Sequence, residues 1–278
     1  MKRLPSFVFA ACAIFAAASA AFSQSSGIRS EQLNQGEIDK IIKKFSANEF
    51  DFRQALQDYA FNRDAKVQTI GLGGQVTGTY IRNSFMTFTD GGQRFERILY
   101  APVSTLRELS ITPEDIDDLG GINPFAIEPK YLNEYKFTYI GREKIDEVDT
   151  YVFDVAPKII PDWKKSKLRL FSGRIWVESD DVMIVKTKGK AVPEGKQRFP
   201  IIETWRNSVD GKYYFPVYSA ADDELVFDNG QVVKIRVRVS YANYRLGRSD
   251  VRILDGEEEV KEPKPAVTPT PTPTKKPE

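Results

Sequence analysis

The clearest pattern in the sequence is an alternation of apolar and polar residues with a period of two. It occurs at residues 135–139, at residues 151–155 and, most regularly, at residues 233–241. Because side chains in a strand point alternately to opposite faces of a sheet, the pattern predicts strands with one apolar and one wet face. The most regular stretch is residues 233–241, and its apolar residues are Val233, Ile235, Val237, Val239 and Tyr241. We predict that the first three of them point inward.

Short polar connections separate the alternating segments and predict antiparallel hairpins, among them Asp210-Gly211 and Asn229-Gly230. No helical pattern alternates with the later strands, so a doubly wound parallel sheet is disfavoured. A long antiparallel sheet must curl to cover its apolar face, which predicts a mainly β fold with short helices, an unclosed antiparallel β-barrel or half-barrel. We predict about eleven strands, at residues 59–70, 76–82, 84–90, 93–101, 135–142, 149–157, 168–178, 181–190, 201–208, 212–220 and 231–246.

Helical periodicity marks the segment in front of the sheet. The segment that opens at Gly36 and runs through Phe45 predicts an amphipathic helix of about three turns, and residues 51–58 predict a second short helical piece. Such a basic amphipathic helix could lie on a membrane surface, but packing on the protein's own sheet, as a lid, is favoured. The apolar stripe of the first piece consists of Ile38, Ile41, Ile42 and Phe45.

A second helical interruption falls between the predicted fourth and fifth strands. Thr112 fits an N-cap, because Pro113 follows it at the first helical position and acidic residues come next. The apolar loop residues 124–127 suit either a lid over one end of the sheet or an ordinary packed crossover.

The two ends of the chain differ from the body. Residues 1–23 combine an initial basic pair, an apolar run and small residues, which predicts a secretory signal peptide cut after Ser23 or after Ala20. A membrane anchor and a lipid on Cys12 are the alternatives, although the run falls short of a bilayer span. Residues 24–36 form a polar lead-in to a domain at residues 37–254. The Thr/Pro-rich residues 255–278 predict a disordered tail, or one that contacts the cell wall or a partner.

Composition removes most familiar chemistry. The 278 residues include no His and one Cys, so histidine triads, Cys/His zinc sites and disulfides within one chain are excluded. A net charge of +1 disfavours nucleic-acid binding and a general attraction to anionic membranes. Paired carboxylates such as Asp222-Asp223 fit solvated turns, so we predict no catalytic residues, no metal site and no cofactor, and hence no enzyme.

Three stretches carry a resemblance to a known family. Residues 135–157 read as a hairpin of Gly-x-Glu, turn and Tyr-x-Phe, residues 173–186 contain Trp-Val, an acidic turn and an apolar strand, and residues 205–216 contain Val-Asp-Gly with aromatics and Pro. Together they resemble the outer-membrane lipoprotein-sorting (LolA/LolB-like) superfamily. The resemblance implies an unclosed barrel with a helical lid that binds acyl chains of lipoproteins or other lipids in the periplasm.

The sequence therefore predicts a periplasmic carrier that is not an integral membrane protein and holds a lipid acyl chain or lipoprotein in an apolar half-barrel cavity. The alternative is an envelope module that binds a protein partner, or senses a signal, with the same fold and without transport. The carrier and the partner-binding module differ in whether the cavity is open to a ligand or filled. The predicted ligand-binding residues are Ile38, Ile41, Ile42, Phe45, Tyr151, Phe153, Val155, Trp176, Val233, Ile235 and Val237.

Overall fold

The structure is a computed structural model of the chain. The predicted signal peptide at residues 1–23, the tail at residues 255–278 and the loop residues 124–126 lie outside the described residues. The described residues are 27–89, 94–112, 115, 127–166, 168–195 and 197–246.

The described fold contains one long α-helix, one short 3₁₀ helix and ten strands. Helix α1 spans Gln35–Leu56, and the 3₁₀ helix spans Pro129–Glu134. The strands are β1 Tyr59–Ile70, β2 Val76–Phe88, β3 Arg94–Tyr100, β4 Tyr135–Ile145, β5 Val148–Pro157, β6 Leu170–Glu178, β7 Ile184–Val192, β8 Ile202–Val209, β9 Tyr213–Val226 and β10 Val232–Leu246.

All ten strands belong to one antiparallel sheet in the order β3-β2-β1-β10-β9-β8-β7-β6-β5-β4. Strands β3 and β4 are its two edges and do not pair with each other, so the sheet is not closed into a barrel. The predicted unclosed half-barrel is therefore confirmed. The expected count of about eleven strands is too high by one, because the segments predicted at residues 76–82 and 84–90 form the single strand β2.

Helix α1 begins at a reciprocal cap. The Asn34 side chain accepts a hydrogen bond from the Glu37 backbone N–H at 3.0 Å, and the Glu37 carboxylate accepts one from the Asn34 backbone N–H at 2.9 Å. The helix then continues to Leu56, so the prediction of two helical pieces is wrong. Tertiary contacts support its middle, where the Asn48 amide donates to the carbonyl oxygens of Asp181 and Val182 at 3.0 and 2.9 Å.

The face of the sheet that contacts α1, called the inner face here, carries two apolar clusters. The first half of α1 packs through Phe45 on the β4–β7 cluster, and the second half packs through Phe52 and Leu56 on the β1–β10 cluster. Aromatic contacts mark both junctions, with ring centroids 6.0 Å apart for Phe45 and Phe153 and 5.6 Å apart for Phe52 and Phe215. The helix thus covers the middle of the inner face, as a lid would.

The opposite, outer face carries a smaller apolar cluster of Val152, Trp176 and Val185. The chain before α1 pairs with the free edge of β4, where the backbones of Arg29 and Arg142 exchange hydrogen bonds of 2.7 and 2.9 Å, and Ile28 packs against the outer-face cluster. The outer face is therefore partly covered by the protein's own lead-in.

The connection from β3 to β4 joins the two edges of the sheet. Its residues Leu109 and Ile111 pack against the β1–β10 cluster, while Ile127 is fully buried in the β4–β7 cluster. The connection therefore contacts the inner face at both ends, and its first part forms the roof of the site described next.

Candidate functional site

An apolar cavity of about 320 Å³ lies on the inner face, between the sheet and two loops. Its floor is built by residues Val67 of β1, Leu225 of β9, and Ile235 and Val237 of β10. The roof and walls come from the β3–β4 connection at residues 108–112 and from the β7–β8 connection at residues 197–200. The described part of its lining contains no residue of α1, so the cavity is the part of the inner face that the helix leaves uncovered.

Strand register explains why the floor is apolar. Val67 pairs with Val237 and Thr69 with Ile235 across β1 and β10, and paired residues share a face of the sheet. Leu225 on β9 pairs with Val233 of β10 and carries the floor one strand further. The period-two pattern that predicted these strands therefore also predicts one continuous aliphatic surface.

The mouth of the cavity, at the 197–200 wall, carries a network of polar contacts. The Arg198 guanidinium donates to the carbonyl oxygens of Gly195, Gln197 and Val226 at 2.9, 3.0 and 2.7 Å, and it forms an ion pair with Asp228. These bonds hold the 197–200 wall against β9. The site thus combines an aliphatic floor with a few polar groups held in place by hydrogen bonds, as small-molecule sites commonly do.

The roof has its own cap at Thr112, as the sequence predicts. The Asp115 carboxylate accepts hydrogen bonds from the Thr112 backbone N–H at 2.8 Å and from its hydroxyl at 2.9 Å, and the Asp115 N–H donates back to the hydroxyl at 3.2 Å. This reciprocal arrangement fixes the direction of the chain just after Leu109 and Ile111, the apolar residues that face the floor.

A buried ion pair holds α1 on the sheet beside the cavity region. The Arg206 guanidinium on β8 donates to both carboxylate oxygens of Glu49 at 2.5 and 3.1 Å and lies 4.6 Å from the centre of the Phe52 ring. Burial raises the pKa of Glu49 above its ordinary value, while Arg206 acts in the opposite direction. The carboxylate form of Glu49 therefore depends on its arginine partner.

A second ion-pair cluster occupies the inner face at the β3 edge. The Glu96 carboxylate accepts from Arg63 at 2.7 Å, from Arg82 at 2.8 and 2.7 Å and from the Ser84 hydroxyl at 2.5 Å. Burial raises the pKa of Glu96, but the hydrogen bonds from Arg82 and Ser84 and the two positive charges outweigh it and lower the pKa to about 2. The cluster bridges β1, β2 and β3 and stiffens this edge.

The residues predicted from the sequence to bind a ligand fall into three places. The β1–β10 cluster holds Val233, Ile235 and Val237, of which Ile235 and Val237 line the cavity. Trp176 lies between the inward-pointing Ile175 and Val177, so its side chain points to the outer face. There its indole N–H donates to Glu143 at 2.6 Å. The β4–β7 cluster, under the first half of α1, holds Ile38, Ile41, Ile42, Phe45, Tyr151, Phe153 and Val155.

Several lining residues were not predicted from the sequence. Leu109, Ile111, Phe199 and Phe227 sit in or beside loops, where no periodic pattern reveals which way a side chain points. The sequence offered one local indication of these lining residues, which is that they are apolar residues in connections between strands. Their position shows that the loops, and not only the strands, form the apolar site.

A second hollow of about 640 Å³ lies along α1 and is lined mainly by polar groups, including Asn48, Asp51, Gln54 and Lys212. Its polar lining does not suit an apolar ligand. Within the residues that the structure describes, no three carboxylate or thiol groups come together as a metal site. In the same part of the chain, no helix is both long and apolar enough to cross a membrane.

Comparisons with known proteins bear on the fold. No family model matches the sequence, and no curated protein matches it. Similar solved structures include a DUF1329 family protein from Desulfovibrio piger, with 16% identity, 76% of this chain and 94% of that chain covered, and a TM-score of 0.37. A LolA superfamily protein from Nitrosomonas europaea shares 12% identity over 75% of this chain and 92% of its own, with a TM-score of 0.34.

A putative outer membrane lipoprotein-sorting protein domain from Vibrio parahaemolyticus shares 10% identity over 72% of this chain and 92% of its own, with a TM-score of 0.29. At identities of 10–16% and TM-scores of 0.29–0.37, these similarities name neither a family nor a ligand for this chain, and the resemblance to the lipoprotein-sorting superfamily stays a prediction.

Proposed function

We propose that the protein is a periplasmic carrier that holds an apolar chain, the acyl chain of a lipid or lipoprotein, in the cavity between the β3–β4 connection and the inner face. The observation that supports this proposal is the aliphatic floor of Val67, Leu225, Ile235 and Val237 beneath an unfilled volume of about 320 Å³. Such a floor offers an apolar chain an aliphatic surface on which it loses contact with water.

The size of the cavity suggests how much ligand it accepts. Small-molecule sites span roughly 300–1,000 Å³, so a volume of about 320 Å³ suits one segment of a single chain. Each methylene removed from water contributes about 0.8 kcal/mol, so eight buried methylenes contribute about 6 kcal/mol. The segment in the cavity alone therefore supports a Kd no tighter than roughly 40 μM, which leaves release feasible.

A longer chain requires movement of α1. The stripe of Ile38, Ile41, Ile42 and Phe45 now packs on the β4–β7 cluster, so the inner face under this half of the helix is filled by protein. Displacement of α1 would expose Phe153 and its neighbours and would extend the apolar surface beyond the cavity. In this proposal the helix competes with the ligand for the same surface, and its return favours release.

A displacement titration tests the proposal. The fluorescent fatty acid cis-parinaric acid is bound to the purified protein and displaced with palmitate. The test variant is the double substitution Val67→Thr and Val237→Thr, which keeps the shape of the floor but adds two hydroxyl groups that lose water when a chain enters. Each hydroxyl costs about 1 kcal/mol or more, so binding weakens by about 30-fold or more.

The matched control makes the same isosteric changes on the outer face, at Val152 and Val185, both buried in the outer-face cluster. This control lowers stability but keeps the affinity within a few-fold of the natural protein. Absence of binding by the natural protein, or equal weakening by the two double variants, would show that the cavity does not hold an acyl chain.

A protein-binding envelope module is the second candidate, and one observation favours it. Edge strand β3 exposes Ile98, Leu99 and Tyr100 at 50%, 53% and 56% of their surfaces, an apolar patch outside the cavity. This function predicts that cis-parinaric acid does not bind and that the cavity stays empty. The titration therefore separates the two candidates.

A further inference from the structure

The β5–β6 loop, residues 158–169, exposes large apolar side chains beside the cavity mouth. Ile159, Ile160 and Trp163 are exposed at 78%, 61% and 44% of their surfaces. Exposed apolar groups of this size, three within five consecutive residues, are uncommon on a surface that contacts only water. The loop therefore has the apolar content of a docking element.

The same loop concentrates positive charge. Its sequence contains five basic residues and one acidic residue, in a chain whose net charge is only +1. The acidic residue, Asp162, lies 3.7 Å from Lys165 and accepts a hydrogen bond from the Lys164 backbone N–H at 2.9 Å. The Lys164 ammonium lies 5.6 Å from the centre of the Trp163 ring. Apolar and cationic groups thus share one small surface.

Two contacts place this loop at the wall of the cavity. The Trp163 ring packs on Gly195, where an added Cβ would lie 3.1 Å from the ring, and Arg198 donates to the Gly195 carbonyl at 2.9 Å. At the end of the loop, the Arg169 guanidinium lies 5.1 Å from the centre of the Phe199 ring. Both Arg198 and Phe199 line the cavity.

We propose that the β5–β6 loop docks the protein on an anionic phospholipid surface, with Ile159, Ile160 and Trp163 entering the headgroup region and Lys158, Lys164 and Lys165 facing the lipid phosphates. Tryptophan and isoleucine flanked by lysines match the chemistry of a bilayer interface, where an apolar layer lies beneath negative charge. A protein partner would need a surface that is both apolar and acidic. The membrane is favoured because it presents both features without a specific shape.

Docking in this way brings the mouth of the cavity to the bilayer. The inference goes beyond the proposed carrier function and does not depend on it, because the loop would bind membranes whether or not the cavity holds a chain. The net charge of +1 disfavours a general attraction of the protein to anionic membranes. In this proposal the attraction comes from one basic loop and does not need a high net charge.

Vesicle co-sedimentation tests the proposal with the full mature chain. We expect binding to vesicles of equal parts phosphatidylcholine and phosphatidylglycerol, and at least tenfold weaker binding to phosphatidylcholine alone or at high salt. The double variant Ile159→Ser and Ile160→Ser, at side chains that are mostly exposed, should bind the mixed vesicles at least tenfold more weakly. The charge variant Lys164→Glu and Lys165→Glu should lose the preference for phosphatidylglycerol.

The control replaces two other exposed apolar residues, Ile98→Ser and Leu99→Ser on β3, which are exposed at 50% and 53%, and should bind like the natural protein. Quenching of Trp163 fluorescence by brominated lipid, lost in Trp163→Phe, would locate the contact in the loop. Failure of the natural protein to bind mixed vesicles, unchanged binding by the Ile159 and Ile160 variant, or an equal loss in the β3 control would overturn the proposal.

Discussion

Replacement of Arg206 by Met tests the reasoning about how α1 is held on the sheet. The side chains of Arg206 and Glu49 are exposed at only 2% and 3% of their surfaces. The Arg206 Nε is buried without a hydrogen-bond partner among the described residues, so Glu49 and the Phe52 ring supply the compensation for this charge. Arg206→Met would leave Glu49 buried beside an apolar side chain.

The expected cost is large because one partner of a buried pair loses its counter-charge. Such truncations cost about 3–5 kcal/mol, which lowers the urea midpoint by about 1–2 M for a slope near 3 kcal/mol/M. Removing an exposed pair costs about 0.2–1 kcal/mol, so Lys234→Met, whose partner Glu224 is 54% exposed, is the matched control. The assay is equilibrium unfolding in urea, followed by tryptophan fluorescence.

The double variant Arg206→Met and Glu49→Met separates the pair from the packing of the helix. Replacing both charges by apolar groups removes the uncompensated carboxylate, so most of the lost stability returns. The pH dependence has a definite sign: without Arg206, burial raises the folded pKa of Glu49 further, and the stability of the single variant falls as the pH rises. A single variant that loses under about 1 kcal/mol, or a double variant worse than the single one, would refute this account of the helix.

Three further predictions concern other parts of the fold. Glu96→Gln should lower the free energy of unfolding by about 1–2 kcal/mol after solvent screening. In the natural protein, the free energy of unfolding should fall as the pH drops from about 4.5 to about 2, because the pKa of Glu96 is lowered to about 2 in the folded state. Phe45→Ala should cost about 3–5 kcal/mol by the same urea assay, since Phe45 is fully buried between α1 and the β4–β7 cluster. Gly141→Ala, at a φ of 146° and against the Arg29 carbonyl oxygen, should cost about 1–3 kcal/mol and speed hydrogen exchange at the Arg29 amide.

Strand pattern and turn chemistry were sufficient to predict the sheet. The alternation at residues 233–241 correctly places Val233, Ile235 and Val237 in the buried inner face, and Asp210-Gly211 forms the β8–β9 turn with left-handed φ values of 55° and 65°. These features are local, so a single sequence carries them. The Asn34–Glu37 cap is equally local but was not among the predictions, although an N-cap residue followed three positions later by Glu is a known helix start.

Long-range contacts account for what the sequence did not predict. The unbroken α1 depends on Asn48 meeting carbonyl groups of Asp181 and Val182, more than 130 residues away. The cavity roof depends on where the β3–β4 connection crosses the sheet, which no periodicity in residues 104–112 specifies. The position of Trp176 on the outer face follows from its place in the alternation, one residue out of step with Ile175 and Val177.

The most direct test of the carrier account is the lipid content of the native protein. The protein is purified from the cell envelope without detergent and extracted with organic solvent, and the extract is analysed by mass spectrometry. We predict about one equivalent of an acyl-chain lipid per protein, and a strong reduction in the Val67→Thr and Val237→Thr double variant. An extract with no more lipid than that of an unrelated protein prepared in parallel would contradict the account.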